Sequence, residues 1–308
     1  MFFRRFCLSA FALLCLLGLS AAQLPCQPQQ TNALPIQLKQ LGLPTKIDGT
    51  CGCQGAGKGS PTSPLRQAND LQNTIKNNFQ LAPSAQQKLI TVGDMIRLQG
   101  IVDDVPQEQL QRGDRFHLPS PAQRTLLRSI NIGPNRQFGE GDLVTLVGFV
   151  IGARHSNTDD GESVNCNLAG CAANDIHVDV TAHPRDNDVD KGEQMNEEGL
   201  SAEISPHHRP EAWETFDASA YRSVFRTHPV MFAGQLFYDA SHSPGGGPDR
   251  AAVWEVHPVY AIWVCRNTTL SQCPVASQNN PNVWIPFDQV RGAFNLNVQT
   301  TAKCQDNP

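Results

Sequence analysis

The sequence has little positive charge and no run of basic residues. Its 24 Lys and Arg face 29 Asp and Glu, which gives a formal net charge of −5 at pH 7. Aromatic residues make up only 7% of the chain, so the interleaving of basic and aromatic side chains that single-strand binders use is thin. An acidic chain of this kind binds polyanions poorly. Nucleic acid is therefore not an expected partner.

Long apolar runs are missing after the first residues of the chain. The run Phe6–Leu19 is too short to span a bilayer, and it lies between Arg4-Arg5 and the small residues Ser20–Ala22. This pattern is typical of a secretory signal peptide. We predict a signal peptide over residues 1–22, no transmembrane segment after its removal, and a secreted or periplasmic location.

The sequence does contain cysteine, ten residues in all, two of them in the predicted signal peptide. In an exported chain, an even number of cysteines is best explained by disulfide bonds. Short loops favour the pairs Cys166–Cys171 and Cys265–Cys273. The motif Cys51-Gly-Cys53 could instead hold a soft metal ion, although no second Cys/His pair stands at zinc-finger spacing. The other two cysteines of the mature chain are Cys26 and Cys304.

The composition divides the mature chain into three segments. Residues 23–80 are rich in Gln, Pro, Asn and Gly, and they predict a loosely ordered arm with a short polar helix at Leu65–Phe79. Residues 81–140 predict a helical segment that packs on a barrel, because hydroxyl N-caps precede apolar helical stripes. Residues 141–308 predict that barrel and a C-terminal tail.

Period-2 alternation and turn-rich loops predict the strands of the barrel. The order is three strands, a helix at Pro210–Phe225 and two more strands, which is the order of the OB-fold. Leu200–Ser205 is interpreted as a short extended piece, and Gly148 and Gly152 as points where a long first strand bends. The predicted fold class is mainly β with a helical arm, an OB-fold-like five-stranded Greek-key barrel. The five predicted strands are Asp142–Ala153, Glu162–Leu168, Asp175–Thr181, Pro229–Asp239 and Ala251–Cys265.

Several short motifs occur together in this segment. They are Asn-Asp-Ile-His-Val-Asp-Val at Asn174–Val180, Trp-Glu-Val-His-Pro-Val at Trp254–Val259, and the runs Gly161–Cys166, Ala202–His207 and Gly234–Asp239. In these motifs the chain resembles an uncharacterised family of secreted bacterial proteins with an OB-like barrel. The resemblance implies export and the barrel, but it brings no activity with it.

Two of these motifs place acid and imidazole groups two residues apart on one face of a strand. We expect His177, Glu203, Glu255 and His257 to converge, because polar groups among apolar neighbours must find partners. As a structural network they would fix strand register. As a site they would suit general acid/base catalysis or a zinc or manganese ion, with His177 and His257 as candidate ligands. Both interpretations stay open; no cofactor is predicted, and a divalent metal ion remains an alternative.

Polar groups also gather in the first and last barrel loops, which border the ligand face of an OB-fold. The candidate ligand-binding residues there are His155, Asp159, Asp160, His242 and Asp249. The first functional prediction is a secreted OB-fold binding module for a carbohydrate, a peptide or a protein surface. The alternatives are a metal-dependent hydrolase of the nuclease or phosphoesterase type that uses the His/Glu cluster, and a structural envelope protein.

Overall fold

The structure, a computed structural model, describes residues 59–60, 62–77, 87–207, 209–245 and 250–298. The predicted signal peptide, most of the arm, Asp249 and the cysteines at 26, 51, 53 and 304 lie outside these ranges. Within them, no helix combines the length and the apolar composition that a membrane crossing requires.

A closed five-stranded β-barrel forms the centre of the molecule. Its strands follow the order β4-β5-β6-β8-β7, and β7 pairs back with β4. Only β6 and β8 are parallel, while the other barrel pairs are antiparallel. This order and these directions are those of an OB-like barrel, which confirms the predicted fold class. The barrel strands are β4 (Leu143–His155), β5 (Ile176–Thr181), β6 (Gly199–Ile204), β7 (Val230–Tyr238) and β8 (Trp254–Cys265).

Shorter elements surround the barrel. Helix α1 (Pro64–Lys76) confirms the short polar helix expected in the arm, and α2 (Val92–Asp103) begins at a capping box made by Thr91 and Asp94. Segment 81–140 contains strands as well as helices, and β1 of this segment pairs in parallel with β4. The other elements are β1 (Lys88–Ile90), α3 (Pro121–Arg124), β2 (Ile130–Gly133), β3 (Arg136–Phe138), α4 (Lys191–Glu198), α5 (Arg222–Phe225), β9 (Trp284–Pro286) and α6 (Phe287–Ala293).

The first barrel strand changes its partner at a glycine. Residues Leu143–Gly148 of β4 pair with β7, and Phe149–His155 pair with β5. A Cβ atom on Gly148 would lie only 2.7 Å from the carbonyl oxygen of Thr181. The strand therefore changes partner at a position that tolerates no side chain, and the bend expected there stays a prediction.

One alternate set of strand side chains fills the barrel interior. The apolar residues of β5 and β6 are all buried in the main core: Ile176, Val178, Val180, Leu200, Ala202 and Ile204. Burial of one such aliphatic side chain, alanine apart, stabilises the fold by about 1.5–3 kcal/mol. Because side chains alternate along a strand, His177 and Glu203 lie on the outer face of the barrel.

Two of the predicted elements are wrong. Glu162–Leu168 is not the second barrel strand but a loop with a 3₁₀ turn at Ser163–Asn165. Cys166 and Asn167 adopt positive φ angles of 62° and 53°, which an extended strand excludes. The piece Leu200–Ser205 belongs instead to a barrel strand, β6, so the count of five is restored by a different segment.

The helix predicted at Pro210–Phe225 is replaced by three short turns. They are the 3₁₀ turns Glu211–Trp213 and Ser219–Tyr221 and the single turn α5. Ala218 between them has an extended backbone (φ −61°, ψ 136°). This break lets Phe216 and Tyr221 both reach Phe287, at ring-centroid distances of 4.8 and 4.9 Å. Packing of these aromatic rings therefore interrupts the single helix that the sequence predicted.

The predicted disulfide Cys265–Cys273 is present. It links the end of β8 to the C-terminal segment that carries β9. Cys166 and Cys171 are also disulfide-bonded, and the pairing of these two with each other stays a prediction.

Candidate functional site

A charged cluster lies on the outer face of strands β5, β6 and β8. The strand register places His177 beside Glu203, and Ser201 beside Glu255. The four residues expected to converge are therefore brought together by the sheet. Nδ1 of His257 lies 2.6 Å from Oε2 of Glu203 and 3.5 Å from Oε2 of Glu255. Nε2 of His177 lies 3.6 Å from Oε1 of Glu203.

Helix α1 covers this face and contributes a cation to it. The Lys76 ammonium group lies 3.1 Å from Oδ2 of Asp239 and 3.6 Å from Oε2 of Glu203. It also lies 5.4 Å from the centroid of the Phe237 ring. Gln72, one turn earlier, donates a hydrogen bond to Oδ1 of Asp239 at 3.1 Å. Lys76 and Asp239 are not among the site residues predicted from the sequence, because nothing in a polar arm indicates which charged face it covers.

The composition of helix α1 fits the surface that it covers. Ser63 caps its first turn, Pro64 occupies its first position, and its buried residues include the amides Asn69, Gln72 and Asn73. A helix that buries amides needs a polar partner, since each buried polar group requires a hydrogen bond. The polar composition of this helix is visible in the sequence, but which of its amides are buried, and against which surface, follows only from the structure.

The covering helix lies on the face that binds ligands in OB-folds, the face of strands two and three of the barrel. Asn77, which caps its end, donates to the carbonyl oxygen of Val164 beyond the first barrel loop at 2.9 Å. Lys76 reaches Asp239 just before the last barrel loop. The chain's own helix therefore joins the two loops between which the sequence predicted a ligand.

A second cation, Arg250, neutralises Glu255. Nη1 of Arg250 lies 2.7 Å from Oε1 of Glu255, and both side chains are buried. Asp239 receives a further contact from Nδ1 of His242 at 3.0 Å. Three of the carboxylates on this face, those of Glu203, Asp239 and Glu255, thus each have a basic partner.

Asp175 stands apart from these pairs. Its side chain is fully buried, and no hydrogen bond from the described residues reaches either carboxylate oxygen. Its Oδ2 atom lies 3.9 Å from Nε2 of His257. Glu162, whose Oε1 atom lies 3.5 Å from Nε2 of His177, approaches from the loop. Ligand atoms of Glu162, Asp175 and His177 lie within 4.8 Å of one another, and so do those of Asp175, Glu203 and His257.

The carboxylates shift the protonation of the two imidazoles. Burial alone would lower the pKa of His257, but Glu203 and Glu255 raise it to about 10. Burial likewise opposes the charge on His177, and Glu203 and Glu162 raise its pKa to about 9. Burial and the nearby Glu162 raise the pKa of Asp175 to about 7. The polar face thus holds its charges in a tightly coupled network.

Solvent barely reaches the cluster. The side chains of Asp175, Glu255 and His257 have no exposed surface, and those of His177 and Glu162 are 15% exposed. A polymeric substrate could not touch His257 in this state. The arrangement therefore favours a structural network or a small-ion site over a hydrolase centre.

Among the described residues, the predicted loop residues contact different partners. His155 is held by Asp217, with its Nδ1 atom 2.8 Å from Oδ2 of that residue, while His242 contacts Asp239. Asp159 and Asp160 are exposed in a turn, and Asp249 lies outside the described residues.

A groove of about 360 Å³ opens beside the covered face. Asp179 of β5 lines this groove. It lies two residues beyond His177 and on the same side of the strand. Its lining joins β4 to the turns before β7 and includes an apolar floor with Val150, Phe216 and Phe225. Five cationic side chains also line it: Arg154, Arg185, Lys191, Arg222 and Arg226. The sequence gives no indication of this groove, because its basic residues are far apart along the chain.

No family model, curated protein or solved structure matches this chain. The resemblance to secreted bacterial proteins with an OB-like barrel therefore stays a prediction. What the two sites can do follows from their geometry and charge.

Proposed function

We propose that this chain is an exported, OB-like binding module and that its cationic groove holds a small carboxylate-bearing carbohydrate. One observation carries the proposal: a groove lined by five cationic side chains lies on a protein whose net charge is negative. Such a local reversal of charge concentrates anions at the groove. A carbohydrate belongs to the ligand classes that this barrel type binds.

The ion pairs of the groove leave positive charge unused. Asp179 is shared by Lys191, at 2.5 Å, and by Arg154, at 3.8 Å. Asp217, the other acid of the lining, is engaged by His155. The ion pairs of the described residues give Arg222 and Arg226 no carboxylate partner, and both side chains are exposed. These two guanidinium groups are free to bind a ligand carboxylate through paired hydrogen bonds.

The dimensions of the groove suit a small ligand. Its volume of about 360 Å³ lies near the lower end of the range of ligand pockets, about 300–1,000 Å³. The rings of Phe216 and Phe225 back the groove from within the core, so recognition of a ligand there depends on the cationic side chains. An extended polyanion would instead meet the acidic remainder of the surface.

The two other functions predicted from the sequence receive less support. A hydrolase that uses His257 and Glu255 needs substrate access, and both residues are fully buried. A purely structural role does not require the unpaired arginines of the groove. Export is supported by the disulfide Cys265–Cys273, since such bonds persist in oxidising compartments.

Isothermal titration of the purified chain with uronic-acid oligosaccharides tests the proposal. Neutral oligosaccharides of equal length and sugar phosphates serve as comparison ligands. We expect binding of the uronic acids that weakens at high salt, and at least tenfold weaker binding by the R222Q/R226Q variant, because charged hydrogen bonds contribute about 1.5–3 kcal/mol each.

Arg128→Gln is the control, since Arg128 is exposed and lies outside the groove lining. It removes one positive charge and should leave the affinity within twofold of the wild type. Absence of binding by every anionic sugar, or equal affinities of the wild type and R222Q/R226Q, would refute the proposal. A preference for sugar phosphates would mean that the groove binds anions but that its ligand carries a phosphate instead of a carboxylate.

A further inference from the structure

We propose that the covered face holds a Zn²⁺ ion between Asp175, Glu162 and the imidazoles of His177 and His257. This site is separate from the groove and does not depend on the function proposed for the groove. Two of its ligands, Asp175 and Glu162, are not among the candidate metal ligands His177 and His257 that the strand pattern indicated.

The side chain of Asp175 is the first observation. A fully buried carboxylate with no hydrogen bond to either oxygen is costly unless something binds it. Arg250 and Lys76, the two cations of this face, are engaged by Glu255, Asp239 and Glu203. Among the described residues the nearest basic atom is Nε2 of His257 at 3.9 Å, so a metal ion would supply the close contact that Asp175 lacks.

The orientation of His257 is the second observation. Its Nδ1 atom contacts Glu203 at 2.6 Å, which leaves Nε2 directed towards Asp175 at 3.9 Å. Metal-bound histidines are held in this way, with a carboxylate on one ring nitrogen and the metal on the other. Glu203 therefore acts as a positioning residue, and Nε2 of His257 is the ligand atom.

The loop residues complete the set of donors. Atoms of Glu162, Asp175 and His177 already lie within 4.8 Å of one another, and Asp175 is shared with the group that contains His257. Two imidazoles and two carboxylates form a mixed nitrogen and oxygen set of the kind that zinc accepts in four-coordinate sites. Calcium would require six to eight oxygen ligands, which this set does not offer.

The charge of the face also favours a divalent cation. It carries more carboxylates than cations of fixed charge, namely Glu162, Asp175, Glu203, Asp239 and Glu255 against Lys76 and Arg250. The partly exposed edges of His177 and Glu162 provide a route for the ion to enter.

Metal analysis of the full, tag-free chain tests this inference. The chain is stripped with a chelator, equilibrated with Zn²⁺ and passed through a desalting column, and the bound metal is measured by mass spectrometry. We expect one Zn²⁺ per chain, and Co²⁺ added to the stripped chain should give the visible absorption bands of four-coordinate cobalt. Mn²⁺ and Ca²⁺ should be retained more weakly than Zn²⁺.

Asp175→Asn separates a ligand from a structural role, because it keeps the shape of the side chain and removes its charge. We expect at least tenfold weaker Zn²⁺ binding for D175N, and for E162Q as a second variant nearer the surface. The matched control is Asp160→Asn, since Asp160 is an exposed acid in the neighbouring turn. Circular dichroism verifies that each variant is folded.

Two results would overturn the inference. One is a folded wild-type chain that retains no Zn²⁺ above the level of a metal-free control protein. The other is a folded E162Q or D175N variant that binds Zn²⁺ as tightly as D160N does. Neither result would bear on sugar binding in the groove, where the two variants are expected to behave like the wild type.

Discussion

The Lys76 ammonium group lies between the carboxylates of Asp239 and Glu203, and all three side chains are at most 12% exposed. Burial opposes the charge on Lys76, but Asp239 and Glu203 raise its pKa well above the usual value. The lysine and its two acids therefore depend on one another to remain charged without solvent. Single substitutions on this face are expected to have large effects.

Replacement of Lys76 by Met tests this dependence. The substitution keeps most of the volume but leaves two buried carboxylates with less compensation, so we expect a loss of about 3–5 kcal/mol in the free energy of unfolding. Urea denaturation followed by tryptophan fluorescence measures it. Lys88→Met is the control, because Lys88 pairs with Asp142 at 2.7 Å on the surface and should contribute at most about 1 kcal/mol. Equal losses for the two variants would contradict the account.

His155 gives a prediction for pH. Burial lowers its pKa, but the hydrogen bonds that its imidazole donates to Asp217 and Glu214 outweigh that effect, and the pKa is raised above its usual value. A raised folded-state pKa means that protonation stabilises the fold below about pH 6.5, the unfolded value, and that this contribution is lost as pH rises through the folded pKa.

The His155→Gln variant should therefore lose more stability at pH 5.5 than at pH 9, relative to the wild type at each pH. His183→Gln is the matched control, since the His183 side chain is 78% exposed beside Glu198 and an exposed pair contributes little at any pH. A stability difference for H155Q that is constant between pH 5.5 and pH 9 would show that the pair with Asp217 is unimportant.

At the scale of elements, the strands with clear alternation could be predicted from the sequence. β5, β7 and β8 appear where the pattern placed them, because one face of each meets a continuous apolar core. The segment Glu162–Leu168 does not form the predicted strand, because Glu162 accepts hydrogen bonds from Ser156 and Asn157. Contacts of this kind produce no periodic pattern in the sequence.

The cluster of His177, Glu203, Glu255 and His257 could also be predicted, since strand faces fix which side chains converge. Its cover could not, because helix α1 is separated by many residues from Asp239 and is joined to it only by tertiary contacts. The groove could not be predicted either, because residues of its lining such as Arg154 and Arg222 are distant in the sequence.

The change of strand partner in β4 yields a prediction about the element itself. Gly148→Ala would place a Cβ atom 2.7 Å from the carbonyl oxygen of Thr181 and from a methyl of Val180. We expect a loss of about 1–3 kcal/mol, as overpacking usually costs. Gly100→Ala in α2 is the contrast, because nothing lies within 4 Å of its Cβ position and alanine favours a helix by about 0.5–1 kcal/mol. Thermal unfolding of both variants measures the difference, and a G148A protein as stable as the wild type would be inconsistent with the close approach.

At the scale of the whole molecule, the barrel presents one outer face that is divided in two. Helix α1 covers the part with His177, Glu203 and His257, and the groove beside Asp179 remains open. The covered part concentrates negative charge, and the open part concentrates positive charge. This division leads us to assign a metal ion to the first and an anionic sugar to the second.

The amide resonances of the chain, followed by NMR during titration with a uronic-acid oligosaccharide, test the groove assignment most directly. We expect saturable shifts at Gly152, Ala153, Lys191 and Ala218, which line the groove. Little change is expected at Lys76 of the covering helix and at Asp239 beneath it. Shifts confined to the covered face, or none anywhere, would contradict the groove assignment.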